Sequence, residues 1–409
     1  MAWMRGISSF RDAVTRNSRE RASTPIGKRR WPRRIAIVGF VLIALFYVGG
    51  GWYFSGQIRS GGLEPREPER NFNVTVERID GDLIVLSGDD ESIDDPGQYA
   101  LYWEGGFGLV GEVISITPTG VERKYVGTTG SPPPLAPQEV DLDAWYYPRD
   151  PADAGLAFDD VTYSSPVGDM RAWYVPASDV PANTWAIHVH GWRADRRETI
   201  RTLPVFHAAG IDSLAVEYRN DPGAPPDPTG LYRFGRTEWE DIEGAVRYAL
   251  DHGAAQIVLV GFSTGATGEM AFLERSDIAG SVVGVVFDSP NIDFGRAVKT
   301  EARDTALIPG LPFTVPDSLT ATAMLIADLR YDVGWRDIDY VDNDRLTVPA
   351  LVFHGDADRT VPLSVSEDFA SAHPDQVELV ITPGADHVRS WNVDRDRYER
   401  ILSQFLGAL

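Results

Sequence analysis

Gln256-Ile257-Val258-Leu259-Val260 is an apolar run that leads straight into Gly261-Phe262-Ser263-Thr264-Gly265, and the small-residue segment Ala266 to Glu274 follows. The pattern predicts a buried strand, a sharp turn and a helix, in that order. Such a turn forces its central residue into a strained backbone conformation. Glycine on both sides lets strand and helix approach closely enough to expose the Ser263 hydroxyl, and the positive end of the helix faces any oxyanion that develops beside it.

The flanking sequence fits a fold of that kind. Thr184–His190, Ser213–Tyr218, Gln256–Val260, Val282–Phe287, Ala350–His354 and Val377–Ile381 read as strands separated by helical patterns, which predicts βαβ units and a mostly parallel sheet. Residues 156–165 and 170–177 read as an antiparallel pair around a turn at Pro166–Asp169. Thr237 followed by Glu240 reads as a capping box, with Trp239, Ile242, Val246 and Ala249 at helical spacing behind it. Tyr398, Ile401, Leu402 and Phe405 predict a final amphipathic helix.

A serine nucleophile needs a base, and the base needs an orienting carboxylate. The chain has seven His. In a strand–turn–helix nucleophile fold the order along the chain is Ser, acid, His, which removes His188, His190, His207 and His252. His354 lies inside a strand pattern, where packing and backbone hydrogen bonds suffice, and His373 sits at a helix end. His387 follows the strand Val377–Ile381 on a loop, the place where a base belongs. For the acid, Ala350–His354 ends in Gly355-Asp356-Ala357-Asp358. Asp358 has left the strand and is favoured over Asp356, which suits a turn hydrogen bond, and over Asp288 at the end of Val282–Phe287. The oxyanion donors are expected to be the backbone amides of Thr264 and of Trp192 in His190-Gly191-Trp192. His188 and His190 have no third ligand near them in sequence, so no metal is expected, and no cofactor is implied.

The segments GFSTG, HGW, HGDADRTVP and GADH, in that order, resemble the α/β-hydrolase superfamily, with details similar to its serine aminopeptidase-like and prolyl-oligopeptidase-like bacterial branches. AVEYRND and YRFGRTEWEDIEGAVRYAL also resemble membrane-tethered hydrolases of high-GC Gram-positive bacteria. The resemblance covers residues 157–409 and implies Ser263 as nucleophile, Asp358 as orienting acid, His387 as base, and the Trp192 and Thr264 amides as the oxyanion hole. Thr264 is smaller than the residue often found after this Ser.

Ahead of that region, Ile35 to Phe54 runs without a charge, long enough for a transmembrane helix. Residues 1–34 carry a net charge of +8 against −30 for the remainder. This bias predicts a single-pass cell-membrane protein with a cytoplasmic N-terminus and an extracytoplasmic hydrolase domain, and a cleaved signal peptide is the competing reading. A body so acidic excludes nucleic acid as a partner. The absence of Cys excludes disulfides, thiolate metal sites and a Cys nucleophile.

The expected organisation is a basic arm at 1–34, a membrane helix at 35–54, a linker at 55–70, a β module of four or five strands at 71–130, a Pro-rich linker at 131–156 and an α/β-hydrolase domain at 157–409. Its cap, at about 291–345, is rich in apolar residues such as Ile308, Leu311, Phe313, Leu319 and Leu329. They either pack the cap onto the core or line a pocket for an apolar acyl group. The function expected is a serine hydrolase cleaving a small-molecule carboxylic ester or thioester. A serine peptidase and a non-catalytic scaffold are the alternatives, and the sequence does not set the oligomeric state.

Overall fold

Along the central strand Ile257 and Leu259 enter one hydrophobic core while Val258 and Val260 enter another, so both faces of the sheet are buried. The computed structural model describes residues 31–66, 70–90, 92–128, 131–177, 182–308, 310–342 and 346–409. The arm through residue 30, with Lys28, Arg29 and Arg30, lies outside the described residues. The chain divides after Phe46 into two units.

Helix α1 (Trp31–Ile58) runs on into a π-helical turn at Arg59–Leu63. Among the described residues, Arg33–Leu63 is the one stretch long and apolar enough to cross a membrane. The linker expected at 55–70 therefore begins as helix, and its first part is packed rather than free. Ser55 and Leu63 are buried. Arg330 donates to the Trp52 carbonyl at 3.1 Å and to Ser55 Oγ at 2.7 Å, Tyr47 and Ser318 share a 2.9 Å hydroxyl contact, and Tyr232 N–H donates to the Leu63 carbonyl at 2.8 Å.

Six strands follow: β1 (Val74–Asp80), β2 (Leu83–Gly88), β3 (Tyr99–Trp103), β4 (Gly106–Thr117), β5 (Gly120–Thr128) and β6 (Gln138–Asp143). They close into an antiparallel barrel in the order β1-β2-β5-β4-β3-β6, which leaves no open edge. The sixth strand lies inside the stretch expected to be a Pro-rich linker. Val140 and Leu142 alternate inward from it onto Val74, Ile84 and Leu101. Fully buried Arg123 fills the barrel beside Tyr99. It donates to the carbonyls of Gly111, Ile93 and Asp95 at 3.0 Å each and of Gly97 at 2.7 Å.

The second sheet has eight strands in the order β14-β13-β12-β11-β9-β10-β8-β7. They are β7 (Asp159–Ser165), β8 (Gly168–Val175), β9 (Thr184–Val189), β10 (Asp212–Val216), β11 (Gln256–Phe262), β12 (Val282–Asp288), β13 (Ala350–Gly355) and β14 (Val377–Thr382). From β10 to β14 every pairing is parallel, and β7 and β8 add an antiparallel edge. The helices are α2 (Leu203–Ala208), α3 (Trp239–Asp251), α4 (Thr264–Arg275), α5 (Phe294–Asp304), α6 (Asp317–Tyr331), α7 (Ser364–Ala372), α8 (Ser390–Val393) and α9 (Arg395–Leu406). This is the α/β-hydrolase fold, preceded by an apolar helix and a small β module. On α3 the expected stripe is buried at Ile242, Val246 and Ala249, but the capping box does not form. Thr237 Oγ1 instead donates to Asp227 at 2.8 Å. In the cap, Leu319, Val315 and Met324 pack inward, while Ile308, Leu311, Phe313, Leu325 and Leu329 are exposed.

Each buried acceptor left bare costs about 1–3 kcal/mol, and two of the four carbonyl contacts of Arg123 are fully buried. Arg123→Ala is therefore expected to lower stability by about 3 kcal/mol or more, read as a lower urea midpoint. An unchanged midpoint would show that the barrel does not depend on this side chain.

Candidate active site

Ser263 stands between β11 and α4 with φ 50 and ψ −113. Its glycine neighbours are required by contact. A Cβ on Gly265 would lie 2.1 Å from the Val189 carbonyl oxygen, and one on Gly261 would lie 2.5 Å from the Ala266 nitrogen. The Ser263 N–H donates to the Asp288 carbonyl at 2.9 Å, and the Ser263 carbonyl accepts from Asn291 N–H at 3.0 Å. Strand end and following loop thus hold both sides of the strained residue.

The structure brings the three predicted side chains together. Ser263 Oγ lies 2.9 Å from His387 Nε2, and His387 Nδ1 lies 2.8 Å from Asp358 Oδ2. Because Asp358 accepts, Nδ1 carries the proton and Nε2 is left to accept from the serine hydroxyl. Asp358 Oδ1 accepts from the backbone N–H groups of Thr360 at 2.9 Å and Val361 at 2.8 Å. Burial alone would raise the Asp358 pKa; the charge on His387 and hydrogen bonds from His354 and His387 outweigh it and hold the carboxyl well below the usual range. For His387, burial disfavours the imidazolium, but the Asp358 carboxylate outweighs it and raises the pKa above 6.5.

The competing carboxylates are placed elsewhere. Asp356 Oδ1 accepts from Gly384 N–H at 2.7 Å, a turn bond. Asp288 is buried, its pKa pushed up to about 6 chiefly by burial, and its backbone rather than its carboxylate engages Ser263. His373 Nε2 meets the Val341 carbonyl at 3.1 Å. His188 is buried between the Ser213 and Thr202 hydroxyls, and burial pushes its pKa down to about 3. Among the described residues no cluster of side chains is arranged to hold a metal.

Three features escape the sequence reading. His354 Nε2 lies 3.1 Å from Asp358 Oδ2 and 3.0 Å from the Val361 carbonyl, so this core histidine also holds the acid. Its place four residues before Asp358 was the available signal. His190 has Nε2 at 2.8 Å from Asp221 and Nδ1 at 2.9 Å from the Gly191 carbonyl. With acceptors at both nitrogens the imidazolium is favoured. Burial opposes that charge, but Asp221 pushes the His190 pKa up to about 9. Buried Glu198 accepts from Gly191 N–H at 2.8 Å.

These last two contacts fix the loop His190-Gly191-Trp192 against Ser263. A Cβ on Gly191 would lie 3.1 Å from Ser263 Cβ. Since the Gly191 amide is taken by Glu198, the next amide of the loop is that of Trp192, and Thr264 is the first residue of α4. Trp192 and Thr264 line one cavity with Tyr218, Tyr232 and Phe234, about 310 Å3 counting its open mouth.

Residues 75–140 match a family described only as a domain of unknown function. No curated protein matches the chain. Among solved structures, an esterase of Pyrococcus furiosus is similar, with 18% identity and a TM-score of 0.50 over 68% of this chain and 98% of its own. An esterase of Pyrobaculum calidifontis has 17% identity and a TM-score of 0.46 over 62% and 84% of the two chains. An esterase of a Rhodococcus species has 17% identity and a TM-score of 0.43 over 61% and 99%. At 18% identity the Pyrococcus furiosus structure speaks to the fold alone. The family described as alpha/beta hydrolase matches residues 186–401, more than half of the 409 residues, and the chain belongs to that family.

Proposed function

We propose that the chain is a serine esterase, tethered to the cell membrane by α1, that cleaves a carboxylic ester or thioester with an apolar acyl group. The observation that carries this reading is the unbroken hydrogen-bond path from Ser263 Oγ through His387 to Asp358, at 2.9 and 2.8 Å. In the proposed reaction His387 Nε2 takes the hydroxyl proton while Oγ attacks the substrate carbonyl. The Trp192 and Thr264 amides donate to the oxyanion, and Asp358 stabilises the imidazolium. The imidazolium then returns its proton to the leaving alcohol or thiol, which gives an acyl-Ser263. Water activated by His387 releases the acid and restores the serine.

The division of labour proposed along the chain is anchor at 35–54, barrel module at 71–130 and hydrolase domain at 157–409 capped over about 291–345. The basic flank of the apolar stretch supports a cytoplasmic N-terminus and an extracytoplasmic hydrolase domain.

Ser263→Ala is expected to lower kcat by on the order of 10⁶-fold and to abolish labelling by an active-serine fluorophosphonate, with the protein still folded. Equal labelling of both proteins would discard Ser263 as nucleophile. A panel of acyl esters, thioesters and aminoacyl amides reads the bond type, and turnover confined to the amides would replace the esterase reading by a peptidase.

The base must be neutral to accept the proton. With the His387 pKa raised above 6.5, kcat/KM for an uncharged ester should rise with pH through an inflection above 6.5 and then level. Asp358→Asn removes the carboxylate that raises it, so the inflection should move down while kcat falls by about 10⁴-fold. An inflection unmoved by that change would argue against the pairing.

A further inference from the structure

A second cavity lies apart from the narrow one beside Thr264. The last turns of α1, at Tyr53, Phe54 and Ile58, form one wall of a groove whose other walls come from Phe294 and Val298 on α5 and Ala323 on α6. It holds about 980 Å3 counting its open mouth, and its lining is mostly apolar, with Tyr53, Gln57, Glu301, Thr305 and Thr320 as the polar members among the described residues.

We propose that this groove takes the acyl chain of a lipid ester supplied by the bilayer. The proposal rests on the tethered-esterase reading and names its substrate class. Three observations carry it. The groove wall is the end of Arg33–Leu63, the stretch long enough to cross a membrane, so a chain leaving the hydrocarbon along this helix enters without crossing water. Large apolar side chains are exposed on α1 and α6 and on the connection between α5 and α6, with Trp52 58%, Tyr53 60%, Leu329 79% and Phe313 62% exposed. Exposed aromatic and apolar side chains near a helix end fit the membrane interface better than water.

The groove also adjoins the cavity beside Thr264. Phe294 of its wall stacks on Phe234 with centroids 3.7 Å apart, and Phe234 lines the cavity that Trp192 and Thr264 share. Asn291, three residues before Phe294, holds the Ser263 carbonyl. Arg193, next to Trp192, donates to the Ser60 carbonyl at 2.9 Å. The groove and the cavity beside Thr264 are thus neighbours, with the stacked Phe294 and Phe234 rings between them.

The test uses the full chain with Ser263→Ala in phosphatidylcholine vesicles containing a phosphatidylcholine whose acyl chain ends in a photoreactive diazirine. Adducts are expected on the inward-facing peptides that carry Val298, Ala302 and Ala323, and Ala302→Trp should reduce them about tenfold. With Ser263 restored, Ala302→Trp should lower the ratio of palmitoyl-ester to butyryl-ester turnover by about tenfold, while Lys299→Trp on the exposed side of α5 leaves that ratio unchanged. Ala306→Trp repeats the block from an exposed position should Ala302→Trp fail to fold. Absence of adducts on α5 and α6, or an unchanged ratio in both blocking variants, overturns the groove. Adducts at these peptides in a protein that turns over no ester would leave the groove standing as a lipid site and overturn the esterase reading alone.

Discussion

Ser263 holds φ 50 and ψ −113, a conformation that costs an L-residue roughly 1–3 kcal/mol. The cost is met by packing that glycine alone permits. Without a Cβ, Gly265 lets α4 rest on the Val189 carbonyl, and Gly261 lets β11 pass under Ala266. Any side chain at either position would push the helix off the sheet, and the turn would relax. The strained backbone keeps the hydroxyl 2.9 Å from His387 Nε2, and it sets Thr264 at the first position of α4, where the helix dipole is most positive. The direction of the Ser263 hydroxyl and the field around it follow from one close approach.

The remaining polar groups repeat that logic through charge. Asp358 accepts from two backbone amides and faces two imidazoles, so its lone pairs are satisfied without water. A carboxylate held this way stays ionised and keeps His387 in the tautomer whose Nε2 faces the serine. On the opposite loop the buried His190–Asp221 pair and Glu198 immobilise Gly191. An ion pair so deeply buried adds little net stability once desolvation is counted. Its effect is positional, since it fixes which amides of the loop remain available to a substrate oxygen.

Much of this was legible in sequence because it depends on local spacing. The apolar runs gave the strands from β9 to β14. The turn glycines located Ser263, and the loop positions after β13 and β14 picked out Asp358 and His387. What the sequence hid depends on partners far along the chain. No motif marks Glu198 or Asp221, and only folding brings Gly191 and His190 to them. Strand β6 falls in the expected linker because the Pro-rich run Ser131–Pro137 directly precedes it. Only the inward alternation of Val140 and Leu142, closed against β1 and β3, makes it a strand. The Thr237 cap failed for the same reason, because Asp227 offers that hydroxyl a nearer partner than the helix does.

The barrel lies against the loops that carry Asp358 and His387, and two kinds of contact hold it there. Arg359, next to Asp358, reaches Asp95 of the barrel at 3.3 Å and pairs with Asp386, the neighbour of His387. Arg359 is half exposed, so salt screens these pairs and each contributes at most about 1 kcal/mol. The buried contacts are firmer. Asn392 Nδ2 donates to the Gln98 carbonyl at 2.7 Å and to the Ala144 carbonyl at 3.0 Å, while Gln98 N–H donates back to the Asn392 carbonyl at 2.9 Å. A Cβ on Gly97 would lie 2.4 Å from that same Asn392 oxygen, so the approach needs glycine just as the nucleophile turn does. Arg123 holds the Gly97 carbonyl from inside the barrel. The barrel is thus oriented by backbone contacts that water cannot screen, and the ion pairs at its rim adjust only the charge beside His387.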